Sequence, residues 1–336
     1  MIGLDVGGTT MKAAVMDETG AIYARGARET GALGKPAIIF ERIVSLIEEL
    51  RQAVPFSIEA VGIGIPGPFD PQRGISVQSP NLNWKHVDVR TPLLAAIDLP
   101  LYFDNDLRTA TLGEATFGAG RGVSDLIFAP LGTGFGAGIY SHGKLLLGAN
   151  GFSGEIGHVN VPGNPAHCNC GNIGCVETIA SATGIARLAR EALESKLKQE
   201  GDACVNRPLY QLADGKPENI TALLVAEAVR QGDAIASMAW GTACEVIGWS
   251  LALMINLFGP TKVILGGGVC RAGELLLAPV RKSAERHTMD ALRKQVDIAI
   301  ASLGSDSGIL GAGALALRSH LPNREEGVMR NGLAKH

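Results

Sequence analysis

Apolar positions come in short runs at the start of the chain. Met1-Ile2-Gly3-Leu4-Asp5-Val6 is stopped by Gly7-Gly8-Thr9-Thr10, and Met11-Lys12-Ala13-Ala14-Val15-Met16 resumes the run before Asp17-Glu18-Thr19-Gly20. Runs of this length about a glycine and hydroxyl turn predict strand, turn, strand. Between Pro36 and Ala53 the pattern changes. Ile38, Ile39, Ile43, Leu46, Ile47 and Leu50 recur at helical spacing, behind a proline suited to a first helical turn. Ala60 to Ile65 then reads as a buried strand ending in Pro66-Gly67-Pro68, and Leu101-Tyr102-Phe103 as another ending in Asp104-Asn105-Asp106. Strands alternating with helices predict an α/β sheet, whose ligands gather at the carboxyl ends of the strands. Asp5, Gly67 and Asp106 all fall at or near such ends.

The second half repeats the opening theme. Leu126 to Leu131 leads into Gly132-Thr133-Gly134-Phe135-Gly136-Ala137-Gly138-Ile139-Tyr140, and Lys144-Leu145-Leu146-Leu147 can return as a hairpin partner. Thr183 to Glu200 and Asp233 to Leu257 read as helices, with Leu209 to Glu218 as a polar connection. Val263-Ile264-Leu265-Gly266-Gly267-Gly268-Val269 reads as a buried strand opening into a triple-glycine turn. A helix from Gly273, a strand from Val296 to Leu303 and an Ala/Gly-rich helix from Ser307 to Leu317 follow, and the tail from Asn323 is polar and expected to be loose.

Composition narrows the class. The 336 residues suffice for two domains, and 46% hydrophobic with 19% charged residues at a mean hydropathy of +0.18 is a globular composition. A net charge of −3 and a pI of about 6.2 supply no general attraction to nucleic acid or anionic lipid, so neither is expected as a partner. The longest apolar stretch, around Ile247 to Phe258, is broken by Gly248, Ser250 and Asn256 and reads as too short to span a bilayer. No signal peptide is read before the first strand. Cys204, Cys244 and Cys270 are scattered singly, which suits reduced thiols in a cytoplasm.

The other three cysteines cluster in Cys168-Asn169-Cys170-Gly171-Asn172-Ile173-Gly174-Cys175, with His158 upstream in Glu155-Ile156-Gly157-His158. Three thiolates and one imidazole supply the four ligands of a closed tetrahedral zinc site. The alternative is a chance cluster of reduced thiols, but the Gly and Asn between them suit a metal-binding loop better than a packed core. Glu155 and Glu177 flank the loop, where a zinc-braced segment can hold polar side chains around a hydroxylated ligand.

The glycine turns have chemistry of their own. Backbone N–H groups of Gly7, Gly8, Thr9 and Thr10 can approach phosphate oxygens, the threonine hydroxyls add donors, and Asp5 can hold magnesium. No G-K-[ST] follows, so this is not a Walker loop, and the glycines from Gly132 do not fit the dinucleotide fingerprint. A hairpin turn, or a glycine bend without a ligand, is the plainer alternative for each.

In order along the chain, Asp5-x-Gly7-Gly8-Thr9-x-x-Lys12, Gly132-Thr133-Gly134, Glu155-x-Gly157-His158, Cys168-x-Cys170-Gly171-x-x-Gly174-Cys175-x-Glu177 and Leu265-Gly266-Gly267-Gly268 resemble the ROK family of sugar kinases and repressors, within the actin-like ATPase superfamily. The resemblance runs from Asp5 to about Leu317. It implies two α/β domains of the ribonuclease-H-like type about a cleft, the last helix crossing back to the first. The small domain would comprise residues 1–112 and 306–321, and the large one residues 113–305 with the zinc loop, leaving 322–336 as a flexible tail.

The resemblance also implies ATP, magnesium and a structural zinc. Asp106 takes the place of the general base that activates a sugar hydroxyl, with Asn105 and Gly67 beside it on the substrate side. Glu155, His158 and Glu177 take the places of hydroxyl-binding residues, His158 serving zinc through its other ring nitrogen. Gly7 to Lys12 and Gly132 to Gly134 match phosphate-binding hairpins, and Gly267 and Gly268 match an adenosine motif. Phosphoryl transfer needs little else than magnesium, backbone donors and a carboxylate for the nucleophile's proton. Asp106 has a plainer reading, as the N-cap of a helix beginning at Leu107.

Repressors similar to this family carry a winged helix-turn-helix ahead of the first phosphate hairpin, and a hairpin starting at Asp5 leaves no room for one. A kinase is therefore expected over a repressor, and Asp106 with both phosphate turns favours it over a catalytically dead sugar sensor. Glu155-Ile156-Gly157-His158 and Asn81-Leu82-Asn83-Trp84 look like bacterial glucokinases, while kinases of N-acetylmannosamine, fructose or allose share most of the same loop. Glucose is the expected hexose, and similar kinases are commonly homodimers.

Overall fold

β1 (Ile2–Val6) and β2 (Thr10–Met16) pair antiparallel about the first glycine turn, with Asp5 opposite Lys12, in a computed structural model that describes residues 1–31 and 33–321. β3 (Ile22–Glu29) adds an edge strand whose burial alternates, so it offers no apolar run to find. α1 (Pro36–Gln52) buries Ile39, Ile43, Leu46, Ile47 and Leu50 along one stripe, each side chain contributing about 1.5–3 kcal/mol on leaving water. β4 (Val61–Ile65) follows. A three-stranded antiparallel meander, β5 (Phe69–Asp70), β6 (Ile75–Ser79) and β7 (Trp84–Asp88), then packs Phe69 and Trp84 into the same core. α2 (Arg90–Ala96), β8 (Leu101–Asn105) and α3 (Asp106–Thr116) complete this stretch.

β9 (Leu126–Pro130) precedes the hairpin of β10 (Gly138–Ser141) and β11 (Lys144–Leu145), a shorter return strand than expected. α4 (Glu177–Ala180) and α5 (Ala182–Glu200) come next. α6 (Pro208–Leu212) and α7 (Ala222–Arg230) lie in and after the stretch read as a polar connection, where Leu209 and Val225 are buried. α8 (Ala234–Phe258) is N-capped by Asp233, whose Oδ1 accepts from Ile235 and Ala236 N–H, and ends at Gly259 in the left-handed region. β12 (Lys262–Gly266), α9 (Glu274–His287), α10 (Asp290–Arg293), β13 (Asp297–Ile300) and α11 (Ser307–His320) close the chain. The expected loose tail lies outside the described residues.

The chain divides into two units, one of Met1–Ser124, Gly138–Ser153 and Ser302 onward, the other of Asp125–Ala137 and Gly154–Ala301. The break anticipated after residue 112 falls inside α3, and the β10–β11 hairpin groups with the first unit. In the first unit the sheet order is β3-β2-β1-β4-β8, with β1, β4 and β8 parallel. α1 covers one face. α11 lies on the other so closely that a Cβ at Gly3 would sit 1.9 Å from the Ile309 carbonyl oxygen, and one at Gly62 would sit 1.8 Å from that of Ala312.

In the second unit β9, β12 and β13 pair parallel, and α8 packs against α9, α5 and α7. α8 overturns one sequence expectation. At 25 residues, with a mean hydropathy of 1.4 over its 18-residue window, it is long and apolar enough to cross a membrane by length and composition alone. The small residues read as interruptions are helix contacts: a Cβ at Gly248 would lie 2.4 Å from that of Ser283 on α9, and Ser250 is fully buried. More than half of that window is buried within the fold.

Candidate active site

In the first unit the chemistry gathers at the carboxyl ends of β1, β4 and β8. Asp5 is the half-buried residue near the end of β1, and the turn that follows is closed by a 3.1 Å hydrogen bond from Gly7 N–H to the Thr10 carbonyl. Thr30 braces the same turn, its hydroxyl donating to the Gly7 carbonyl at 2.6 Å and its N–H to that of Thr9. Gly67 follows β4 at φ +85°, and its carbonyl accepts from the Asn105 side-chain amide at 2.8 Å.

The helix cap anticipated as an alternative for Asp106 falls one residue earlier. Asn105 is the N-cap of α3, its Oδ1 accepting from Arg108 N–H at 3.1 Å. Asp106 is therefore the first helical residue and not the cap, which removes the plainer reading of its carboxyl. Asp106 Oδ1 accepts from Leu107 N–H and from the Asn105 amide, both at 2.8 Å. Loss of water around the carboxyl, then the neighbouring Asp5 charge, push Asp106 up to about 7, while the hydrogen bonds from Leu107, Gly67 and Asn105 oppose the rise. Asp5 is pushed up to about 6 by loss of water, opposed by Lys12. A carboxyl with the value of Asp106, just past the end of β8, is suited to proton transfer near neutral pH.

Two supports escaped the sequence reading. Arg108 and Asp104 form a buried ion pair, the Arg108 Nε donating to Asp104 Oδ1 at 2.6 Å, and another guanidinium nitrogen donates to the Phe69 carbonyl at 3.1 Å. Their spacing of four residues was the available signal, but nothing in sequence showed that the pair is buried. Gly308, in the first turn of α11, lies against Asp5, where an added Cβ would be 2.4 Å from Asp5 Oδ2.

The second unit holds the other constellation. His158, Cys168, Cys170 and Cys175 offer ligand atoms that all lie within 4.8 Å of one another. Three sulfurs and an imidazole at that separation fit a tetrahedral zinc ion. Loss of water around the thiols pushes Cys168 and Cys175 up from their ordinary values without an ion. The loop is shaped by Gly171 and Gly174 at φ +97° and +84°, and its strands cross-link through Val161 N–H to the Gly174 carbonyl and Val176 N–H to that of Val159. His158 Nδ1 is 3.7 Å from Cys168 Sγ, while Nε2 faces Glu155 at 3.7 Å. One ring nitrogen is on the cluster and the other is toward Glu155.

Glu177 sits between this cluster and the Gly132–Gly134 turn. Its Oε1 accepts from Cys168 Sγ at 3.2 Å, and its Oε2 from Phe135 N–H at 3.3 Å. The turn is closed by Gly132 N–H donating to the Gly134 carbonyl, and Leu131 N–H donates to that of Gly266 at 2.8 Å. Gly267, at φ +83°, would place a Cβ 2.3 Å from the Leu131 carbonyl oxygen, so the triple-glycine turn abuts the start of the Gly132–Gly134 turn. Beyond Gly267 the triple-glycine turn runs into a short 3-10 helix, Gly268–Ala272. The candidate residues thus form two groups, one in each unit.

Paired strand–turn–strand units, a strand-end carboxyl titrating near neutrality and a three-cysteine, one-histidine loop define a class of phosphate-handling α/β proteins with the actin-like ATPase fold. The ROK family model matches residues 1–319, and the chain belongs to that family. It is 36% identical over 318 residues to a glucokinase of Thermotoga maritima, covering 94% of this chain and 96% of the other. A ROK family glucokinase of Streptomyces griseus, solved with glucose and AMPPNP, superposes with a TM-score of 0.80 at 34% identity, over 95% of this chain and 99% of that one. A xylose repressor of Caldicellulosiruptor bescii is 30% identical over 284 residues, 84% of this chain and 68% of the repressor.

Proposed function

We propose that the chain is an ATP-dependent hexose kinase that transfers the γ-phosphoryl group to the 6-hydroxyl of glucose. The observation that carries this is Asp106, a carboxyl beside the N-cap of α3 that titrates near 7. A sugar hydroxyl is a poor nucleophile, and a carboxylate in hydrogen-bond reach orients it and takes its proton as the bond to phosphorus forms. Asn105, held by the Gly67 carbonyl, orients the same part of the sugar, and Glu155, His158 and Glu177 bind its other hydroxyls.

The turns at Gly7 to Lys12 and Gly132 to Gly134 cradle the phosphates, and Gly267 and Gly268 line the adenosine. Asp5 would hold magnesium, which would supply neutralisation of the phosphate charge. His158, Cys168, Cys170 and Cys175 would hold a zinc ion whose contribution would be structural. The enzyme is read as a cytoplasmic homodimer. The test is steady-state kinetics over glucose, N-acetylmannosamine, fructose and allose with ATP, following ADP release and identifying the phosphorylated product. Glucose 6-phosphate as the product of highest kcat/KM is expected, and no turnover with any hexose would overturn the reading.

A further inference from the structure

The turn at Gly132–Gly134 is held by one short segment that starts at Glu177. The Glu177 Oε2 accepts from Phe135 N–H at 3.3 Å, Ala182 N–H donates to the Gly132 carbonyl at 2.8 Å, and the Thr183 hydroxyl donates to the Thr133 carbonyl at 2.8 Å. Ser181 stiffens the segment, its hydroxyl donating to the Glu177 carbonyl at 2.7 Å and accepting from Gly184 N–H at the start of α5. Gly134 faces the same carboxylate so closely that a Cβ there would lie 2.7 Å from Glu177 Oε2. At its other oxygen Glu177 meets the metal-site residues, 3.2 Å from Cys168 Sγ and 3.8 Å from His158 Nδ1. One carboxylate therefore touches both the loop read as sugar-binding and the turn read as phosphate-binding.

We propose that Glu177 is a positioning residue for the nucleotide turn as well as a sugar ligand, so that sugar and nucleotide binding are coupled through it. The inference rests on the sugar-kinase reading given above. A sugar hydroxyl donating to the carboxylate fixes its rotamer, and that rotamer keeps Oε2 on Phe135 N–H and sets the approach of Gly134. The carboxylate need not move far: a flexible side chain held at one end loses most of its rotamer freedom when the other end is engaged. Binding linkage is reciprocal, so nucleotide should tighten sugar binding by the same factor that sugar tightens nucleotide binding. For an ordinary coupling that factor is about 5- to 150-fold.

Calorimetry on the full-length, zinc-loaded chain tests this, with glucose and magnesium–AMPPNP each titrated in the absence and presence of the other. The wild type should show a coupling factor of at least about fivefold. Gly134→Ala, whose added methyl displaces the carboxylate, should weaken glucose binding about tenfold with no nucleotide present, the loss expected from one hydrogen bond to a charged group. A turn that served nucleotide alone would leave that affinity unmoved. Thr183→Val, which loosens the turn without touching Glu177, should reduce the coupling factor while leaving nucleotide-free glucose affinity at its wild-type value, and it decides the matter if Gly134→Ala does not fold.

Glu177→Gln separates the two readings. If it weakens glucose binding while Gly134→Ala and Thr183→Val behave as wild type, the coupling is overturned and the sugar site stands. If Glu177→Gln binds glucose as the wild type does, its role as a sugar ligand falls and the coupling with it.

Discussion

Replacing Asp106 by Asn keeps the shape of the side chain and removes its charge. The neighbouring cap is untouched, because Asn105 and not Asp106 accepts from Arg108 N–H. The carboxyl titrates at about 7, so about a tenth of it is ionised at pH 6 and about a hundredth at pH 5. If Asp106 is the base, wild-type kcat/KM for glucose should fall about tenfold per unit below pH 7 and level off above it. Asp106→Asn should lose roughly two to four orders of magnitude in kcat at pH 8, the usual contribution of a positioned base, and its residual rate should lack the acid limb.

Stability should move the opposite way. A carboxyl whose folded value is raised holds its proton more tightly when folded, so its contribution is fully present below about pH 4 and lost as pH rises through about 7. Asp106→Asn should therefore match the wild type in stability near pH 4 and exceed it at pH 8, by an amount on the order of a few kcal/mol. The assays are ADP release across pH 5–9 and urea unfolding at pH 4 and pH 8. A flat wild-type profile down to pH 5, or a variant that folds, binds glucose and turns over near the wild-type rate, would falsify the assignment.

Metal analysis of the purified, zinc-replete protein should find one zinc per chain, and Cys175→Ser should lower that occupancy and weaken glucose binding in calorimetry, because Glu177 and His158 contact the same cluster. Arg108→Ala should cost about 3–5 kcal/mol in urea unfolding by leaving the Asp104 carboxylate buried without its partner; a loss below about 1 kcal/mol would show the pair to be dispensable. Gly311→Ala should destabilise by at least about 1–3 kcal/mol, read as a lower melting temperature, since its Cβ would lie 1.7 Å from the Thr109 carbonyl oxygen on α3. Gly308→Ala should lower kcat while leaving the melting temperature closer to wild type than Gly311→Ala does, because the atom it meets is the end of the Asp5 side chain.

The sequence by itself determined those features that depend on near neighbours in the chain. The β1–β2 turn is legible because Gly7, Gly8 and the threonines interrupt two apolar runs. The ligand set of His158, Cys168, Cys170 and Cys175 is legible because a metal loop is a local device, built from residue type and short spacing. α1 and α8 show their helical pattern or length for the same reason. β3 and the β5–β7 meander were missed because their strands are short or only alternately buried, and α7 because it stood beside a polar stretch.

Only the tertiary structure decided how the chemical groups are tuned, since those effects come from residues far apart in the chain. That Asp106 titrates near 7 depends on lost water and on Asp5, which neighbours it only because β1, β4 and β8 lie side by side. That Asn105 is the cap follows from the backbone at the end of β8. That Glu177 reaches both Cys168 and Phe135 follows from the packing of the cysteine loop on the turn after β9. The apolar run in α8 could not by itself distinguish a core helix from a membrane span, because burial against α5, α7 and α9 is a property of the folded unit and not of the segment.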